Sequence, residues 1–181
     1  MTERIRHDPT CSVKFQINKP YRVGASFRLY VMNNNAIGTV FLSVAAGISI
    51  FTAFAHLSCI FIGEDCYRFQ MAPKAIIQSA EMGTLLAPIG TIIVSSLFVI
   101  CGSYALSAAN VIVKLPLLNT AIYALSLLCI LRGLATIPLL ITFPKEAGTF
   151  AIAAGATWFI TGLLFFVGFQ LRQNAVQETS L

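Results

Sequence analysis

Charge is what this sequence has least of. Only 10% of its 181 residues are Asp, Glu, Lys or Arg, where about 25% is usual for a soluble domain, and the shortfall excludes water as the main solvent of the chain. Metal-binding cysteine spacing is missing too, since no C-x2-C pair occurs and a zinc site of the usual kind is thereby excluded. The five cysteines form no framework of paired bridges: Cys101 and Cys129 lie inside apolar segments and Cys11 lies in a basic tail. A cleaved secretory leader is not expected either, because the first apolar run begins only after residue 35 and is too long, so it reads as a retained helix. Alternating strand patterns, internal repeats and low-complexity tracts are also absent.

Apolar length is what the chain has instead, with 57% hydrophobic residues and a mean hydropathy of +0.80. An apolar helix needs about 20 residues to cross ~30 Å of hydrocarbon, and four stretches qualify: Ala36 to Ile62, Leu85 to Ala108, Leu117 to Ile141 and Thr149 to Leu171. In lipid each backbone amide must find its partner within its own segment, which makes every stretch a helix. Short connections make neighbours antiparallel, so the expected fold is all-α, an integral membrane four-helix up-and-down bundle. Residues 1–35 read as a basic, flexible cytoplasmic tail, 36–171 as the transmembrane domain and 172–181 as a cytoplasmic C-terminal tail. Within the first of these, Met32 opens "MNNNAIG", which has the look of a fresh start. Pro116 suits the opening of the third helix, and Pro138 predicts a kink in its last turns.

The net charge of +5 does not point to nucleic acid. Arg4, Arg6, Lys14, Lys19, Arg22 and Arg28 all precede the first apolar stretch, as a cytoplasmic flank does. With Lys114 and Arg172 they outnumber Arg68, Lys74 and Lys145 on the other side, so both termini are expected on the cytoplasmic side. The outer loop from Gly63 to Thr84 should then carry one short amphipathic helix after Pro73, lying on the membrane surface. Its Glu64, Asp65, Tyr67 and Arg68 read as a solvated turn.

Few residues on this frame can do chemistry. Ser49, Thr52, His56, Cys59 and Gly63 recur at alternating spacings of three and four, one helical stripe that serves equally for close packing in lipid. His56 lies about two turns from the outer helix end, where an imidazole can transfer a proton or bind a ligand, or simply hydrogen-bond a neighbouring helix. Arg132 is the one formal charge deep in an apolar span, a placement that costs ~2.5 kcal/mol or more without a partner or water; snorkelling to headgroups is the alternative. Glu81 is the nearest carboxylate that could meet either, giving a candidate ligand-binding cluster of His56, Glu81 and Arg132. Cys59 and Cys66 could form an outer disulfide if the helix unwinds before Gly63. Thr91, Ser95, Gly102, Tyr104 and Ser107 on the second helix read as packing. Ala147, Ala151 and Gly155 on the fourth form a small-residue ridge for a helix neighbour or a dimer.

The stretches "AHLSCIFIGEDCYRFQMAPKAIIQSAEMG" and "YALSAANVIVKLPLLNTAIYALSLLCILRGL", with their Arg-Gly near the end of the third helix, resemble small bacterial four-helix inner-membrane proteins of the DoxX-like group. That resemblance implies a membrane subunit of a quinone-linked oxidoreductase and transfers no catalytic residue or cofactor. The quinone-reducing disulfide oxidases, of similar size and topology, require an outer C-x-x-C where this chain has only "HLSC". The expected role is an accessory or ligand-binding subunit for a quinone-like or lipid-like molecule near the outer leaflet, or for a membrane protein partner. Competing with it are a small membrane enzyme using His56 and Glu81 as an acid/base pair and a transporter formed by a homodimer.

Overall fold

The computed structural model describes residues 25–142 and 148–179 of the chain. Among them every regular element is helical: α1 (Ala25–Ile62), α2 (Glu64–Phe69), α3 (Lys74–Glu81), α4 (Leu86–Ala108), α5 (Leu118–Leu134), α6 (Thr136–Thr142) and α7 (Thr149–Thr179). Four helical stretches are long and apolar enough to cross a membrane: Met32–Ile62, Leu86–Ala108, Leu118–Thr142 and Thr149–Gln177.

Neighbouring helices run in opposite directions. Along α1 and α4, Ile50 packs on Gly102 while His56 packs on Phe98, so positions rise on one helix as they fall on the other. The same holds for α1 and α7, where Gly38 faces Arg172 and Phe41 faces Gly168, and for α5 and α7, where Ser126 faces Gly162 and Gly133 faces Gly155. Both α4 and α7 flank α1, and α5 lies on the far side of α7. Contacts between α4 and α5 are sparse.

The interior is built from small residues. Leu42, Ala45, Ala46, Ala105, Ala108, Ile122 and Phe165 form the centre, and the buried set includes Ser49, Ser95, Ser107, Ser126 and Thr161. Apart from Leu42, Ile122, Phe165 and Phe169, most large apolar side chains point the other way, Phe61 being 89% and Phe51 74% exposed. A water-soluble helix buries its large apolar face, so an outward apolar surface of this extent marks contact with something other than water.

Turn chemistry explains the connection from α1 to α4. Gly63 takes a φ of +93° between α1 and α2, a value open to glycine at no steric cost, and the chain reverses there. Glu64 and Asp65 then occupy the first turn of α2, where the helix dipole favours negative charge. After α3, Gly83 adopts φ +65°; its N–H bonds the Ala80 carbonyl at 3.2 Å and the Thr84 N–H bonds the Ser79 carbonyl at 2.9 Å, the double closure of a Schellman cap. Ser79 Oγ accepts from the Ala87 N–H at 2.9 Å, satisfying one of the orphan donors at the start of α4.

Two sequence expectations change in the structure, and a third, the kink from Pro138, takes a definite place. The helix of the first span begins at Ala25, inside the stretch read as a tail without helical periodicity, and α7 likewise continues to Thr179. The third apolar stretch is interrupted at Ala135, between α5 and α6. Pro138 accounts for the break, because it offers no N–H to the Leu134 carbonyl and its ring crowds that oxygen. The Gly63 to Thr84 segment holds two helices, not a turn and one helix. Of the small-residue ridge on α7, Ala147 lies outside the described residues, while Gly155 packs against Thr136 of the same chain and so serves a helix neighbour.

Candidate functional site

Between α1 and α7, at the end of the molecule that carries α2, lies a cavity of about 580 Å³. One wall is the face of α1 that presents Ile48, Phe51, Thr52, Ala55 and His56; the other is the face of α7 that presents Phe150, Ala153, Ala154, Thr157 and Trp158. Phe69 and Gln70 cover it from the end of α2, and Arg132 reaches it from α5. Gly47, Ala55, Ala153 and Ala154 leave the space open, and the larger rings line it.

Aromatic stacking fixes the side walls. The His56 imidazole lies against Phe98 of α4 with centroids 5.3 Å apart and planes 9° apart. Phe98 stacks in turn on Trp158 at 5.1 Å and 17°, so one continuous ladder joins α1, α4 and α7. Phe69 meets Phe150 at 4.7 Å, which seats the end of α2 on α7.

The cover is also tied to α1 directly. Cys59 and Cys66 are joined in a disulfide across the Gly63 reversal. The helix does not unwind to allow this, as the sequence reading required; α1 stays regular to Ile62, and α2 folds back to bring Cys66 alongside. Gln70 Nε2 donates to the Ala55 carbonyl and to Cys59 Sγ, both at 2.9 Å. On its other side α2 is anchored by Tyr67, whose hydroxyl stands 3.0 Å from Thr91 Oγ1. The Thr91 proton already goes to the Ala87 carbonyl at 2.8 Å, so the tyrosine is the donor.

An inventory of the polar lining shows which groups remain open. Thr52 donates to Ile48 and Thr157 to Ala153, each at 2.8 Å, and both amide hydrogens of Gln70 are engaged. His56 and Arg132 form no hydrogen bond or ion pair with the described residues. A second cavity of about 300 Å³ adjoins, lined by Tyr67, Ile76, Thr91 and Val94 together with His56 and Gln70, which stand in the lining of both.

Of the expected cluster, His56 and Arg132 share the larger cavity. Glu81 does not line it; its carboxylate pairs with Arg68 on the exposed surface of α2 and α3. The helical form of α2 explains this, since it turns Arg68 toward α3 and Tyr67 inward. No group of three metal-ligating side chains occurs among the described residues. Sequence reasoning missed Gln70 and Phe98, whose partners come from other helices and leave no periodic trace, and it read Tyr67 as part of a solvated turn where the structure buries it. It also missed that Arg172, counted as a flank, is buried in α7 and donates to Thr39 Oγ1 at 3.2 Å.

No family model, curated protein or solved structure matches the chain.

Proposed function

We propose that this chain is an integral membrane protein, an up-and-down four-helix bundle with both termini on the cytoplasmic side, that holds a lipid-like or quinone-like molecule in the cleft between α1 and α7. The outward apolar surface and the four long apolar helices support the membrane setting. In the sequence, the positive residues that precede the first apolar stretch, together with Lys114 and Arg172, support the orientation, which puts the cleft toward the outer leaflet of a bacterial inner membrane.

One observation carries the ligand reading: a largely apolar cavity of about 580 Å³ in which the titratable side chains His56 and Arg132 make no hydrogen bond or ion pair with the described residues. Ligand sites of ~300–1,000 Å³ are usually apolar with a few placed polar groups, and this one has that form. A ligand with an apolar body and a polar head satisfies both parts of the lining together. The acid/base alternative loses support, because Glu81 faces Arg68 and not His56. An accessory role beside a partner protein fits the same cleft, and the DoxX-like resemblance points the same way.

Native mass spectrometry of the gently solubilised protein tests this reading. Retention of a lipid or quinone that is lost in a variant with Ala154→Phe, which fills the cleft, is the expected result. A stoichiometric co-purifying chain would place the protein as a subunit of a complex. A bare chain, with neither ligand nor partner and no difference between the two proteins, would overturn it.

A further inference from the structure

The charge inventory of the cleft carries a narrower conclusion. Resting on the amphiphile reading above, we infer that the ligand's head is anionic, a carboxylate or phosphate oxygen, and that Arg132 is the residue that selects it. Among the described residues Arg132 is the only formally charged one in the lining, and no described Asp or Glu lines it. The carboxylates of the adjacent segment are placed elsewhere: Glu81 is paired with Arg68, and Glu64 and Asp65 are exposed in the first turn of α2.

Donor and acceptor chemistry points the same way. The threonine hydroxyl protons and the Gln70 amide hydrogens are turned to backbone carbonyls and to sulfur, so the charged or titratable groups left to meet a ligand head are a guanidinium and an imidazole. A guanidinium has five N–H donors and no acceptor, and its planar fork matches two oxygens of one carboxylate or phosphate. Beside hydrocarbon, a cation without a counter-charge is expensive to keep. A neutral quinone or alcohol head leaves that charge uncompensated among the described residues, and an anionic head removes it. The apolar walls, Phe51, Phe150, Ala154 and Trp158 among them, take the tail.

The molecule contains its own probe. Its single tryptophan is Trp158, in the cleft wall, so a bromine on a bound chain quenches the intrinsic emission. The protein in phosphatidylcholine nanodiscs is titrated with a chain-brominated fatty acid, with phosphatidylglycerol carrying brominated chains, and with a brominated long-chain alcohol and brominated phosphatidylcholine as heads without net charge. Saturable quenching by an anionic probe is expected, with the midpoint at least about tenfold lower than for the uncharged heads. Whichever anionic probe binds tighter distinguishes a free amphiphilic acid from a bilayer lipid. Arg132→Gln should raise the midpoint about tenfold and Arg132→Lys by much less. Equal midpoints for charged and uncharged heads overturn the charge selection while leaving the amphiphile cleft standing. Quenching that only follows bulk bromine content, without saturation, overturns both. The comparison among probes uses the unaltered protein, so it decides the matter even if Arg132→Gln does not fold.

Discussion

The imidazole of His56 lies parallel to the ring of Phe98, 5.3 Å between centroids, and through that ring it is coupled to Trp158 on a third helix. Phe98 is therefore the middle member of a ladder, and Phe98→Leu removes two aromatic contacts at once. At ~0.5–1.5 kcal/mol each beyond area burial, the variant should lose about 1–3 kcal/mol and shift the Trp158 emission. His56→Phe keeps a flat ring in place and removes the N–H, so stability should hold while ligand retention falls. Thermal unfolding in detergent followed by circular dichroism, read beside tryptophan emission, checks both. A Phe98→Leu protein with unaltered melting and emission would show that the ladder contributes nothing.

Glu81 and Arg68 form an exposed pair, their side chains 36% and 54% accessible. Surface pairs of this kind contribute ~0–1 kcal/mol. Glu81→Gln should accordingly change the melting temperature by no more than a degree or two and leave cleft binding untouched. A loss of binding in Glu81→Gln as large as that in Arg132→Gln would restore Glu81 to the site.

The disulfide between Cys59 and Cys66, seven positions apart, holds the cover of the cleft. In the chain-entropy account so short a loop is worth at most about 2.5 kcal/mol, and less where α1 remains helical in lipid after tertiary contacts are lost. Reduction should therefore lower the melting point modestly but act locally on α2, which then keeps non-covalent anchors alone, Tyr67, Gln70, the Phe69–Phe150 contact and the exposed Arg68–Glu81 pair. Hydrogen exchange of the amides in Glu64–Phe69 should accelerate at least about tenfold on reduction. Unchanged exchange there would mean that packing alone holds the cover.

Much of the frame was legible in the sequence because it follows from length and hydropathy. The four apolar helices needed no knowledge of partners, and Pro138 announced the break before α6. The site was half legible. His56 and Arg132 stood out because ionisable groups are rare in apolar segments, and they line one cavity. Glu81 was drawn in as the nearest carboxylate, whereas the geometry of α2, itself hidden in a polar run too short for periodicity, gave it Arg68 as a partner. Gln70 and Phe98 carried no signal, since an amide in a loop and a phenylalanine in an apolar helix acquire their roles only from what packs against them.

Small residues at the α5 and α7 contact allow a direct test of how closely that side of the cleft is set. A Cβ on Gly162 would stand 2.9 Å from both the Ile130 amide nitrogen and the Ser126 carbonyl oxygen. Backbone cannot yield as a side chain tip can, so the helices themselves must separate. The same approach lets Ser126 Oγ donate to the Gly162 carbonyl at 2.9 Å, a bond of ~0.6 kcal/mol in lipid. Gly162→Ala should cost about 1–3 kcal/mol through overpacking and weaken that bond. Since Arg132 reaches the cleft from α5, the variant should also impair ligand retention although Gly162 does not line the cavity. Ser126→Ala removes the hydrogen bond without adding volume, and should cost under about 1 kcal/mol with binding preserved. Equal effects of the two substitutions would mean that the hydrogen bond, not the closeness of the helices, sets the position of α5.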